Sequence, residues 1–280
     1  MGKFGFHVSI AGGLCLAVEK AAGLGCSTMQ IFSHSPRMWK LKDIPKADAA
    51  AFRNARAESG ISPLFVHASY LINLASANDE LYEKSIAALK DELLRADQLG
   101  AEYVVTHLGS ASGSDMRDAS LRVAVALAKT LDGLHVKTRL LLENTAGEAG
   151  DVGYGFGDIA WIIGKSGRDD LGVTFDTCHG YAAGYDLKRK DGLERAVAEM
   201  DSTFGLGRLK QVHLNDSKHP LGSRRDRHEH IGRGELGRAA IGRIINHPAL
   251  RDLPFIMETP KKDPEDDKRN MSVIKRLSAK

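Results

Sequence analysis

The short apolar runs of this 280-residue chain repeatedly end in, or lead straight into, a histidine or a carboxylate. In order these are His7, Ser33 with His34, His67, His107, Glu143, Asp176 with His179, His213 and Glu258. A second concentration lies between Val212 and Gly234, where Asp226 and His228 stand two apart among Lys218, Arg224, Arg225, Arg227 and Arg233. Taken alone, a histidine at a strand end is more often a hydrogen-bonded structural residue, and a charge run more often a solvated loop. Recurrence at equivalent positions argues otherwise. Imidazole and carboxylate donors without thiolates suit zinc, manganese or iron. His67, His107, Glu143, Asp176, His179, His213, Asp226, His228 and Glu258 make nine ligands, too many for one tetrahedral ion and enough for three if a carboxylate such as Glu143 is shared. A trinuclear centre is the expectation.

Such a ring needs a scaffold that brings many strand ends to one place. Strands are predicted near Lys3–Ser9, Thr28–Ser33, Leu64–Ala68, Tyr103–Leu108, Arg139–Asn144, Gly172–Thr177, Lys210–Asn215 and Pro254–Thr259. Helical patterns lie between them, over Leu14–Leu24, Ala47–Ser59, Asp79–Leu99, Ser120–Leu131, Asp158–Ile163, Leu193–Met200, Glu235–Ile245 and from Glu265 onward. In Asp79–Leu99, Ile86, Leu89, Leu93 and Ala96 form an apolar stripe, with Leu81, Ser85, Ala88 and Glu92 on another face. Runs such as Tyr103-Val-Val-Thr are apolar until their last residues, the mark of parallel strands buried on both faces. Eight strand–helix units predict a (β/α)8 TIM barrel over residues 1–280 as one domain, its active site at the C-terminal ends of the strands. No Pro/Gly-rich linker or composition break divides it.

Composition narrows the class. With 42% hydrophobic and 27% charged residues and a net charge of +3, the chain reads as an ordinary soluble protein, too weakly basic for charge alone to prove nucleic-acid binding. Three cysteines without Cys-x-x-Cys spacing argue against a disulfide framework or a cysteine-rich zinc module. Neither a signal peptide nor a stretch of transmembrane length is present, so a cytoplasmic protein without a membrane partner is expected. Gly164-Lys165-Ser166 follows a helix and lacks the earlier glycine of a phosphate loop, and Gly153, Gly155 and Gly157 are too short a run for a dinucleotide fingerprint. Cys178 reads as either a ligand or a packing residue, and Asp216 and Glu229 as either imidazole-orienting partners or solvated loop. His135, His219, His230 and His247 have no such placement.

Several blocks in one order carry a family resemblance. They are Val66-His-Ala-Ser-Tyr-Leu-Ile-Asn-Leu74, Thr106-His-Leu-Gly-Ser110, Leu142-Glu-Asn-Thr-Ala-Gly147, Thr174-Phe-Asp-Thr-Cys-His179, Val212-His-Leu-Asn-Asp-Ser-Lys218, Asp226-Arg-His228 and Met257-Glu-Thr259. Over essentially its whole length the chain resembles the endonuclease IV family of apurinic/apyrimidinic endonucleases. The resemblance implies a TIM barrel with three Zn2+, with Mn2+ or Fe2+ an option at one site. His67, His107 and Glu143 would hold the first ion, Glu143, Asp176, His213 and Glu258 the second, and His179, Asp226 and His228 the third. It further implies a monomer acting on double-stranded DNA that contains abasic sites, cut on the 5′ side to leave a 3′-hydroxyl and a 5′-deoxyribose phosphate. Arg37, Tyr70 and Leu71 match positions that enter the duplex, and Arg224, Arg225, Arg227 and Arg233 become candidates for phosphate contact.

A divalent-metal sugar isomerase or epimerase on the same barrel is the competing expectation. Such enzymes look similar at Glu143, Asp176, His213 and Glu258. For them His67, His107, His179, Asp226 and His228 would be surplus.

Overall fold

A computed structural model describes residues 2–39 and 41–278; the predicted domain also includes Met1, Lys40, Ala279 and Lys280, which lie outside the described residues. In chain order the elements are β1 Lys3–Phe6, α1 Leu14–Gly23, β2 Met29–Phe32, α2 Lys46–Ser59, β3 Leu64–His67, α3 Asp79–Gln98, β4 Tyr103–Thr106, α4 Met116–Leu131, β5 Arg139–Glu143 and α5 Phe156–Ser166. There follow β6 Gly172–Asp176, α6 Thr177–Ala183, α7 Lys190–Thr203, β7 Leu209–His213, β8 Asp216–Ser217, β9 His228–Glu229, α8 Gly237–Ile245, β10 Pro254–Met257 and α9 Asp266–Leu277. Eight of the strands form one parallel sheet in the order β1-β10-β7-β6-β5-β4-β3-β2. Its edges meet where His7 bridges Gln30 and Val8 N–H donates to the Gln30 carbonyl at 2.7 Å. Gly5 allows that meeting, since a Cβ there would stand 1.9 Å from the Thr28 carbonyl oxygen. The sheet is thus a TIM barrel, nearly closed.

Each strand is buried on both faces because the barrel has two cores. Inside, Phe65, Val105, Leu141 and Ile256 pack with Tyr103. Outside, apolar residues of the strands meet the inner stripes of the helices, as with Ile86, Leu89, Leu93 and Ala96 of α3. Each fully buried Leu, Ile or Phe contributes about 1.5–3 kcal/mol relative to exposure.

Most sequence expectations for the elements hold within a turn, and the departures have local causes. The helix α4 begins a turn earlier than its apolar pattern because Asp115 caps it, accepting from Arg117 N–H at 2.8 Å and Asp118 N–H at 3.1 Å. The helix α8 begins later than Glu235, because the buried Asp216 carboxylate accepts from Gly234, Leu236 and Gly237 N–H and holds that stretch as a loop. Gly164-Lys165-Ser166 forms the last turn of α5 and does not follow it. In α3, Ser85 and Glu92 are buried beside the apolar stripe and do not form a separate outer face. Ser85 Oγ donates to the Leu81 carbonyl and accepts from Asn73 N–H, while Glu92 satisfies three donors from other segments. The short hairpin β8–β9 and the helix α6 carry too few residues for a periodic signal.

Candidate metal centre

The C-terminal ends of the strands open into a cleft of about 1110 Å³, lined in part by His7, His67, His107, His179, Asp226, His228 and Glu258. Four sets of possible donors converge there: His67, His107 and Glu143; Glu143, Asp176, His213 and Glu258; His179, Asp226 and His228; and Asp176, Cys178 and His228. The structure therefore brings together all nine residues singled out from the sequence, the first three sets in the grouping that the resemblance implied.

Six strands supply candidate ligands at their ends, His107 directly following β4, and α6 and the segment leading into β9 supply the rest. His67, Glu143, Asp176 and His213 are the last residues of β3, β5, β6 and β7, and Glu258 follows β10. Asp176 also caps α6, its carboxylate accepting from His179 N–H at 2.8 Å, so the strand end and the helix start are fixed as one unit. The hairpin then places His228 opposite Ser217, and Asp226, two residues earlier, has its Oδ1 3.3 Å from His228 Nε2.

Imidazole orientation tests whether cations fit. His67 Nδ1 donates to the Ala68 carbonyl, His179 Nδ1 to the Asn144 carbonyl and His228 Nδ1 to the Glu258 carbonyl. With one nitrogen occupied, the other ring nitrogen presents its lone pair to the centre. His179 Nε2 and His228 Nε2 lie 3.1 and 3.3 Å from Asp226 Oδ1, yet both are buried without an aligned hydrogen bond. That is the geometry of donors aimed at a common point. Ligands about 2.0–2.2 Å from a tetrahedral ion stand roughly 3.3 Å apart. Glu143 Oε2 is 3.2 Å from His67 Nε2 and 3.3 Å from His107 Nε2, while Oε1 is 2.9 Å from His213 Nδ1. One carboxylate thus serves two sets, and the donors fit zinc-like cations.

Electrostatics agree. Burial opposes charge on all five imidazoles, but the carboxylates outweigh it: His67, His107 and His213 are raised, His179 strongly, and His228 to about 9. Burial would push Glu143, Glu258 and Asp226 up, yet facing histidines hold all three below the usual carboxylate range. The protein alone already balances anions against protons where cations would sit.

Below the donors lies a polar layer that sequence reasoning did not find. Gln30 Oε1 accepts from His213 Nε2 at 2.8 Å and from Gln211 Nε2 at 2.9 Å, and Gln30 Nε2 donates to Glu258 Oε1 at 2.6 Å. Asn215 donates to Asp176 Oδ2 at 2.7 Å and accepts from Glu258 N–H at 2.8 Å. A glutamine between Met29 and Ile31 in an otherwise apolar strand was the available signal. By contrast, Asp216 accepts from backbone N–H groups and Glu229 from His230 N–H, and neither orients an imidazole of the donor sets. Cys178 lies near Asp176 and His228, but burial pushes its thiol up to about 12 and it donates to the Arg227 carbonyl, a packing role.

The remaining candidates divide. Arg37 and Tyr70 line the cleft, Tyr70 being 61% exposed, whereas Leu71 is half-buried beside them. Arg225 and Arg233 are exposed. Arg224 lies over the Tyr154 ring at 4.1 Å, and Arg227 pairs with Glu148 at 3.3 Å.

Fold and donor set define a class, the xylose isomerase-like TIM barrels, whose family model matches residues 18–277. Within it, "Probable endonuclease 4" of Methanoculleus marisnigri is 46% identical over 98% of both chains, and that of Halothermothrix orenii 44% identical over 92% of this chain and 94% of the relative. The crystal structure of endonuclease IV from Thermus thermophilus superposes with a TM-score of 0.89 at 43% identity, covering 98% of each chain. The chain belongs to the endonuclease IV family. A D-psicose 3-epimerase with a TM-score of 0.66 and 18% identity shares the fold alone.

Proposed function

We propose that residues 1–280 act as one unit that hydrolyses the phosphodiester bond 5′ of abasic sites in double-stranded DNA, leaving a 3′-hydroxyl and a 5′-deoxyribose phosphate. Three Zn2+ held by the nine residues above are the proposed cofactors, with Mn2+ or Fe2+ an option at one site. The observation that carries the reading is the sharing of Glu143 between two donor sets beside a third set, more ligands than one or two ions need.

When bound, such cations lower the pKa of water and neutralise charge on a phosphate and on the departing oxygen. The chain's own residues do the rest. Glu143 holds two donor sets within a few ångströms of each other, and Gln30 and Asn215 keep His213, Asp176 and Glu258 aimed at one point. Tyr70 and Arg37 at the rim are placed to meet the lesion, and exposed Arg225 and Arg233 to meet phosphates. No protein nucleophile is needed in this scheme.

The sugar isomerase or epimerase reading shares Glu143, Asp176, His213 and Glu258 but leaves His67, His107, His179, Asp226 and His228 without work. Elemental analysis of protein purified without added metal, followed by incubation with abasic duplex and with ketose and aldose sugars, separates the two. The expected result is three ions per chain and a cut duplex. A metallated protein that isomerises a sugar and leaves the duplex whole overturns the proposal.

A further inference from the structure

A buried carboxylate that belongs to none of the donor sets ties together the two loops that carry the rim residues. Glu92, on the inner face of α3, is 1% exposed. Its Oε2 accepts from Ser33 Oγ at 2.7 Å, and its Oε1 from His34 Nε2 at 2.7 Å and from Ser69 N–H at 3.1 Å. Ser33 and His34 begin the loop after β2, which leads to Arg37; Ala68 and Ser69 begin the loop after β3, which leads to Tyr70 and Leu71. One turn further along α3, Arg95 donates to Ser33 Oγ at 3.0 Å, to the Ser33 carbonyl at 2.9 Å and to the Lys42 carbonyl at 2.7 Å. The loops are also joined directly, Ser69 Oγ donating to the Pro36 carbonyl at 2.7 Å and accepting from Leu71 N–H at 3.2 Å.

A carboxylate out of water is costly unless its lone pairs are filled, so three donors from two separate loops hold those loops as firmly as they hold Glu92. The Pro36 carbonyl adjoins Arg37, and the Ser69 hydroxyl adjoins Tyr70. Each rim residue is therefore one peptide away from the joint, and the distance between them is set by it. An unjoined pair of loops would have to be ordered on binding, at a free-energy cost for every side chain immobilised.

We infer that Glu92 is a positioning residue: through Ser33, His34 and Ser69 it sets Arg37 and Tyr70 in fixed register before DNA arrives, and so governs preference for abasic over intact duplex. The inference rests on the proposed reading of the rim as lesion-contacting. Intact duplex is held by phosphate contacts that do not need the joint.

The test uses full-length metallated protein and three variants, with a fourth in reserve. Glu92→Leu removes every acceptor; Ser69→Ala leaves Glu92 in place but cuts the link to Pro36; Glu92→Gln keeps Oε1 for His34 and Ser69 while the Ser33 hydroxyl turns to accept. For Glu92→Leu and Ser69→Ala, faster amide exchange in residues 33–38 and 69–72 is expected, with metal content and kcat on abasic duplex unchanged. KM for abasic duplex should rise about tenfold while affinity for intact duplex holds, the loss being that of preorganisation. Glu92→Gln should restore KM. Should Glu92→Leu fail to fold, His34→Phe, which keeps a ring but takes one of the three donors from Glu92, decides by the same readouts. Unchanged exchange in both loops, or faster exchange with KM unmoved, overturns the inference. If the unaltered protein leaves abasic duplex uncut, it is the proposed function that falls, and the exchange data still show whether the loops are joined.

Discussion

Replacing Glu143 by glutamine tests the proposed shared ligand directly. The side chain is fully buried, with Oε2 facing His67 and His107 at 3.2 and 3.3 Å and Oε1 facing His213 at 2.9 Å and His179 at 3.3 Å. An amide has the same shape but only one oxygen. Whichever way it turns, its NH2 group faces one set, leaving either the His67–His107 set with two ligands or the Asp176–His213–Glu258 set with three. Two imidazoles are too few to hold a cation against water, and the centre loses an ion as well as a negative charge. Loss of one preorganised electrostatic group typically costs about a hundredfold to a thousandfold, so a fall in kcat of at least about 10³ is expected, near 4 kcal/mol at about 1.36 kcal/mol per tenfold. Far-ultraviolet circular dichroism should be unchanged, because the swap keeps volume. Single-turnover nicking of an abasic duplex gives the rate, and elemental analysis the ions per chain. A near-normal rate with a full complement of metal would refute the bridging role.

Other perturbations separate orientation, protonation and rim contact. Gln30→Leu takes the acceptor from His213 Nε2–H and lets that ring adopt the wrong tautomer, so metal affinity should drop about 10–100-fold in a chelator competition; equal affinity would remove Gln30 from the centre's support. In metal-free protein His228 is raised from 6.5 to about 9, so its proton stabilises the fold fully below pH 6.5, and that contribution disappears as pH rises through 9. A cation must displace this proton; calorimetry in buffers of different ionisation heat should show proton release at neutral pH and tighter uptake toward pH 9, and zero release contradicts the assignment. Arg37→Ala and Tyr70→Ala should each weaken abasic-duplex binding with metal content intact, whereas loss of metal would mean that those side chains support the donors.

Much of this was legible in the primary structure because barrel strands have a simple grammar. Apolar runs that end in His67, His107, Glu143, Asp176 and His213 announce both a two-faced burial and a ring of polar ends, and these residues do converge. His179, Asp226 and His228 were found as chemistry but not as structure, since α6 and the β8–β9 hairpin are too short for any period to register. Gln30, Gln211 and Asn215 were passed over because a buried amide looks like any other polar residue until its partner, far away in sequence, is known. The role of Glu92 was missed for the same reason: helical spacing groups it with Leu81, Ser85 and Ala88 on a face apart from the apolar stripe, and only the partners Ser33, His34 and Ser69 show that its carboxylate lies inside.

The seam where β1 meets β2 and β10 sets an order of assembly. Glu258 receives its hydrogen bonds from Gln30, 228 residues earlier, and from His7, 251 residues earlier. A chain emerging from the ribosome as far as α8 already carries eight of the nine proposed ligands, but β10 is missing from the ring and β1 has no strand to pair with along its length. Contacts of such long sequence separation form late, because the intervening chain must be ordered first. Hydrolytic competence should therefore appear all at once with the final strand and not grow with the length synthesised, so that unfinished chains carry the ligands without a working centre.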